Sequence, residues 1–157
     1  MAIIVEDGTG VTGANSYVST TTLTAFATAR SVTLTAGAET LLIQAMDYIE
    51  SQRYKGLKVG YTQVLQWPRY DVYIDGYYAT PTDIPQQLKD ALCHAAIACD
   101  QGTDLLQDAP RTTSMEKVGD LEVHYAPGSL SSPINVKIQN ALYKLLDGGG
   151  SIRVGKG

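Results

Sequence analysis

The run Ala38-Glu39-Thr40-Leu41-Leu42-Ile43-Gln44-Ala45-Met46-Asp47-Tyr48-Ile49-Glu50 sets Ala38, Leu41, Leu42, Ala45, Met46 and Ile49 at spacings of three and four. That is the stripe of an amphipathic helix whose apolar face belongs in a core, and Thr35 stands ahead of it as a candidate cap. Upstream, Ser19 opens a weaker helix to about Arg30, with Leu23, Phe26 and Ala27 on one face and threonines lowering its propensity. Residues 2–6 read as a short strand, followed by a glycine- and threonine-rich loop to Asn15. Downstream, from Tyr54 to Pro81, the helical period gives way to glycines, tyrosines and prolines, with Asp75-Gly76 as a tight turn between Val72-Tyr73-Ile74 and Tyr77-Tyr78. Pro85 opens a third helix, with Asp83 as a capping carboxylate and Leu88, Ala91, Leu92, Ala95, Ala96 and Cys99 following to about Asp100. Two runs around Gly119-Asp120, Met115 to Val118 and Leu121 to Tyr125, predict a hairpin. Pro133 opens a fourth helix striped by Ile134, Ile138, Ala141, Leu142 and Leu145, ending at Asp147-Gly148. Four helices and one hairpin predict a mainly α chain.

The 157 residues suit one domain, here residues 1–147, followed by a glycine-rich tail at 148–157. With 44% hydrophobic and 18% charged residues, neither disorder nor a membrane-spanning run is expected. The opening residues carry no basic, apolar secretory pattern, so synthesis in the cytoplasm and no membrane association are expected. Cys93 and Cys99, six apart on one helix and about 120° from each other around it, read as reduced thiols.

The net charge of −4 is unevenly spread. Arg53, Lys55, Lys58 and Arg69 lie in a stretch without an acid, whereas Asp71 to Asp108 holds seven acids against Lys89 alone. An acidic chain is a poor general nucleic-acid binder, because that affinity comes mainly from neutralising phosphates.

Gly8-Thr9-Gly10-Val11-Thr12-Gly13 matches a dinucleotide-binding fingerprint in letters, but it leads into Ala14-Asn15-Ser16-Tyr17-Val18 instead of a helix, and no acid lies near position 33. His94 and His124 fall in different elements and sit in no two-ligand motif, so no metal is expected and His94 reads as a packing residue. No nucleophile elbow is present, and Asp71, Asp75, Asp104 and Asp108 read as loop and cap carboxylates. No cofactor and no enzymatic activity are expected. In Arg53, Tyr54, Lys55, Lys58, Trp67 and Arg69, basic and aromatic residues interleave. They can form a stacking and phosphate platform for single-stranded nucleic acid, or Trp67 and the tyrosines can cover the core while the charges face water or a neighbouring subunit, which is the favoured reading.

The order of these features carries a resemblance. Ile4-Val5-Glu6-Asp7-Gly8-Thr9-Gly10, Ala14-Asn15-Ser16-Tyr17-Val18-Ser19, Ala45-Met46-Asp47-Tyr48-Ile49, Tyr54-Lys55-Gly56, Gln66-Trp67-Pro68-Arg69, Ile84-Pro85 and Leu121-Glu122-Val123-His124-Tyr125-Ala126-Pro127-Gly128 together resemble the head–tail adaptors of tailed bacteriophages. Some proteins of that kind carry the label DnaT-like single-stranded DNA-binding. The resemblance implies a four-helix adaptor-type bundle with a small β element. It implies a structural neck protein of the virion that docks on the portal, forms a ring of about twelve neighbouring adaptor subunits, and meets a downstream neck or tail-terminator protein. Genomic DNA would pass through its channel without sequence-specific binding. In the tail, Ile152, Arg153, Val154 and Lys156 are the candidate portal- or subunit-binding residues, adding a strand to a partner's sheet edge. The alternative expectation is a DnaT-like single-stranded nucleic-acid-binding module using residues 53–69.

Overall fold

A computed structural model describes residues 1–106, 115–118, 121–124 and 135–148. Helix α1 (Thr20–Thr28) is capped as expected by Ser19, whose Oγ accepts the Thr22 N–H at 3.1 Å. The Thr24 and Thr28 hydroxyls donate to the carbonyls of Thr20 and Thr24, each at 2.9 Å, so a threonine-rich helix occupies its side chains locally. Helix α2 (Ala38–Glu50) buries the striped residues Leu41, Leu42, Ala45, Met46 and Ile49. Gly37, not Thr35, precedes it; Thr35 is drawn away because its N–H and hydroxyl, with the Ala36 N–H, donate to the Asp100 carboxylate. Helix α3 (Gln86–Asp100) follows Pro85 directly, with no side-chain cap from Asp83, and buries eight residues from Leu88 to Ala98. Helix α4 (Val136–Leu142) is capped by Asn135, whose Oδ1 accepts the Ile138 N–H.

Three two-stranded antiparallel ribbons complete the described residues. Strands β1 (Leu57–Lys58) and β2 (Arg69–Tyr70) pair Leu57 with Tyr70 and Lys58 with Arg69. Strands β3 (Tyr73–Ile74) and β4 (Tyr77–Tyr78) close on Asp75-Gly76. The φ angles of 53° and 88° there are both positive, as the mirror-image hairpin turns require. Strands β5 (Met115–Val118) and β6 (Leu121–His124) form the hairpin expected around residues 119–120. The strand expected at residues 2–6 is reduced to one parallel bridge from Val5 to Ser16.

The expectation of a mainly α, four-helix adaptor-type bundle with a small hairpin is therefore corrected to a mixed α/β fold. Helix α2 packs on α3, α3 on α4, and α1 touches α2 and α3. Yet α1 and α4 have only nine and seven residues, too few to close a bundle around the longer pair. Their place in the core is taken by non-helical side chains: Tyr17, Tyr54, Leu65, Trp67, Val72, Ile84 and Leu145 are all buried in the same cluster as the α2 and α3 stripes. The stretch from Tyr54 to Pro81 lacks the helical period because it is two short ribbons laid over this core. Among the described residues, no helix is long and apolar enough to cross a membrane.

Candidate nucleic-acid interface

The glycine loop is closed to a pyrophosphate by its own sequence. The buried Glu6 carboxylate accepts the Gly8 and Gly10 N–H groups on Oε1, at 2.9 and 2.8 Å, and the Val11 N–H on Oε2 at 2.8 Å. Those are the donors a phosphate would need. A groove of about 610 Å³ runs between this loop and residues 59–64, but no charged residue lines it, and Gln63 is committed to the Gly60 N–H and the carbonyls of Leu65 and Pro68.

The basic and aromatic stretch divides in two. Trp67 is fully buried and meets the buried Tyr54 ring edge to face, with centroids 5.9 Å apart. Its backbone N–H donates to the Tyr17 hydroxyl at 3.1 Å; that hydroxyl donates to Oε1 of Glu50, and Oε2 of Glu50 accepts the Gln66 N–H at 2.8 Å. Burial pushes the Glu50 carboxyl above its ordinary value, while the Tyr17 and Gln66 hydrogen bonds and the charges of Lys58 and Arg69 pull it back. Arg69 is buried too, and its guanidinium is spent on the chain: Nε donates to the Lys55 carbonyl at 2.8 Å, Nη2 to the Gly56 carbonyl at 2.7 Å, and Nη1 to Oε1 of Gln66 at 2.9 Å. Tyr54, Trp67 and Arg69 thus clasp residues 54–56 and 66–69 together and present nothing to a ligand. Arg53 is exposed, and Lys55 and Lys58 are half-buried.

A different aromatic set reaches solvent. Tyr70, Tyr73, Tyr77 and Tyr78 on β2, β3 and β4 are exposed, Tyr77 by 78%, and Tyr61, between β1 and β2 in the chain, is fully exposed. Tyr73 and Tyr78 are cross-strand partners whose ring centroids lie 3.9 Å apart. Two sequence signals pointed here. Ten tyrosines against one phenylalanine favour aromatic surface that keeps a hydroxyl in water, and a two-stranded ribbon has a face with no second layer to cover it. Basic groups arrive from a distant part of the chain. Lys144, just past α4, donates from Nζ to Oδ2 of Asp75 at 2.7 Å, and Lys55 Nζ donates to the Lys144 carbonyl at 3.0 Å. The Asp75 carboxylate holds the Lys144 ammonium above its ordinary value. The hairpin tip and a basic pair are thereby brought together across 69 residues.

Other residues weighed in the sequence keep structural places. His94 packs edge-on to Phe26 at 5.0 Å, the Arg30 guanidinium lies 3.4 Å over the same ring, and burial lowers the imidazole's affinity for a proton. Cys93 is a buried free thiol pushed up to about 12, and Cys99 is free and half-buried. Asp104 accepts the Leu106 N–H in a loop. Among the described residues, no three metal-ligating side chains come together. Ile152, Arg153, Val154 and Lys156 lie outside the described residues.

A family model described as putative DnaT-like ssDNA binding protein matches residues 1–157 of this chain. No curated protein and no solved structure matches it.

Proposed function

The chain belongs to the family of putative DnaT-like ssDNA binding proteins, and from that premise we propose that it binds single-stranded nucleic acid, without catalysis, on the tyrosine-bearing ribbons β1 to β4. The observation that carries this reading is the exposed cross-strand pair Tyr73 and Tyr78, with Lys144 bonded to the turn that joins their strands and Lys55 bonded to the Lys144 carbonyl. Every base has a π-face, so tyrosine stacking is tolerant of sequence and contributes roughly 1–3 kcal/mol per base. With a net charge of −4 the phosphate contribution is small, and stacking must supply much of the affinity. A duplex, whose bases are already stacked on each other, offers such a surface little.

The test is anisotropy of a labelled oligothymidylate at low salt. Micromolar binding is expected, weaker for a duplex of the same length, and Tyr73→Ala combined with Tyr78→Ala should weaken it at least about tenfold, since about 1.4 kcal/mol is a factor of ten. Both residues are exposed, so the double variant should melt close to the parent. Unchanged affinity in that variant would refute the assigned surface, and absence of binding at low salt would refute the function.

One observation favours a second reading. Leu57, Val59 and Val64, on and just after β1, are also more than 40% exposed, and apolar side chains contribute to a protein–protein contact where they add little to base stacking. A ring-forming head–tail adaptor, binding a portal and its own neighbours in a virion and letting DNA pass ungripped, would use this face between subunits. Light scattering and electron microscopy decide it: closed rings that Val59→Asp abolishes support the adaptor, and a monomer at all concentrations, alone and with portal, opposes it.

A further inference from the structure

The ion pair at the hairpin tip has a geometry that bears on how strongly a strand is held. Lys144 is linked to the Tyr73–Tyr78 pair through the turn, because its ammonium is bonded to Asp75, which joins their two strands. Both partners remain in contact with water, at 43% and 59% exposure, so the pair can open at little cost. A phosphodiester oxygen offers the lysine the same chemistry as a carboxylate oxygen: an anionic acceptor for a charge-assisted hydrogen bond.

We propose that Asp75 is a built-in competitor for the nucleic-acid phosphate: it occupies Lys144 in the free protein and yields the lysine to the strand when bases stack on Tyr73 and Tyr78. This rests on the single-stranded nucleic-acid reading and adds a prediction of its own. When Lys144 takes a phosphate, the counterion released from the nucleic acid is offset by the cation that the abandoned Asp75 carboxylate attracts. The Lys144 contact therefore adds almost nothing to the salt dependence of binding. The site is held to weak, reversible affinity, as a protein that must release a strand requires.

Asp75→Asn tests this without disturbing the turn. Residue 75 has a φ of 53° and precedes Gly76 at 88°; asparagine tolerates the left-handed region, and Asn-Gly is among the strongest sequences for this turn. Only the charge is lost. In the oligothymidylate titration the variant should bind roughly two- to fivefold more tightly at low salt, the size of an exposed ion pair. Its slope of log affinity against log salt should steepen by about 0.7, the contribution of one single-strand phosphate contact. Adding Lys144→Gln should abolish both gains, whereas Glu39→Gln, which removes an acid at the start of α2, should reproduce neither. If Asp75→Asn matches the parent, or matches Glu39→Gln, in affinity and slope while Tyr73→Ala with Tyr78→Ala still weakens binding, the competitor is refuted and the binding function stands. If neither the parent nor Asp75→Asn binds at low salt, both fall together.

Discussion

Replacing Trp67 with alanine is expected to destabilise the protein by about 3–5 kcal/mol, the range for truncating a fully buried aromatic. The indole is completely enclosed and packs on Tyr54, beside the Tyr17–Glu50–Gln66 network that ties residues 66–69 to α2 through the Trp67 backbone N–H, which alanine keeps. For a chain of this size that corresponds to a melting temperature lower by roughly 10 °C. Because this is the only tryptophan, its fluorescence reports the site directly. Emission from the native protein should be blue-shifted, resistant to iodide quenching, and unchanged when an oligonucleotide is added. A variant that melts like the parent but no longer binds nucleic acid would instead make Trp67 a stacking residue, and the clasp described above would be wrong.

Gly56→Ala should be about as damaging, through sterics instead of a cavity. Gly56 has a φ of +70°, and a Cβ there would sit 2.1 Å from the Tyr70 carbonyl oxygen and 2.7 Å from a Val72 methyl. The left-handed backbone costs an alanine roughly 1–2 kcal/mol, and the overlap forces β2 away from the 54–56 segment at a further cost of about 1–3 kcal/mol. The shift also pulls the Gly56 carbonyl off the Arg69 guanidinium. A total near 2–5 kcal/mol is expected in a urea melt. Gly76→Ala provides the contrast: φ is +88° there too, but nothing lies within 4 Å of the added methyl, so only the conformational cost applies. If the two glycine variants are equally stable, close approach of the ribbon is not what residue 56 provides.

The same contrast separates what was legible from what was not. The α2 and α3 stripes, the Ser19 cap, the Asp75-Gly76 turn and the hairpin around residues 119–120 were all readable, because each depends on a local period or on the dihedral preferences of one or two residues. The failure of the glycine-rich fingerprint was readable from its context, although the reason, Glu6 filling the donors, was not. The candidate site was half legible. Interleaving singled out residues 53–69 as basic and aromatic, and the favoured reading, that the aromatics there cover the core, holds for Tyr54 and Trp67. The alternative platform reading counted Tyr54, Trp67 and Arg69, which the fold buries, and left out Tyr73, Tyr77 and Tyr78, which it exposes.

By itself, then, the sequence determined where the long helices and the tight turns form. Only the tertiary structure decided which aromatics stay outside. Helices α1 and α4 are too short to close the bundle, so the 54–72 segment is drawn in to complete the core, taking Trp67 with it and turning Arg69 into a bond donor for carbonyls that burial would otherwise leave unpaired. The pairing of Asp75 with Lys144 was likewise beyond any local reading, since it depends on how α4 packs against α3 and returns the chain to residues 53–55. Periodicity and turn chemistry are properties of neighbours in sequence; enclosure and charge pairing are properties of neighbours in space, set by which elements are long enough to cover one another.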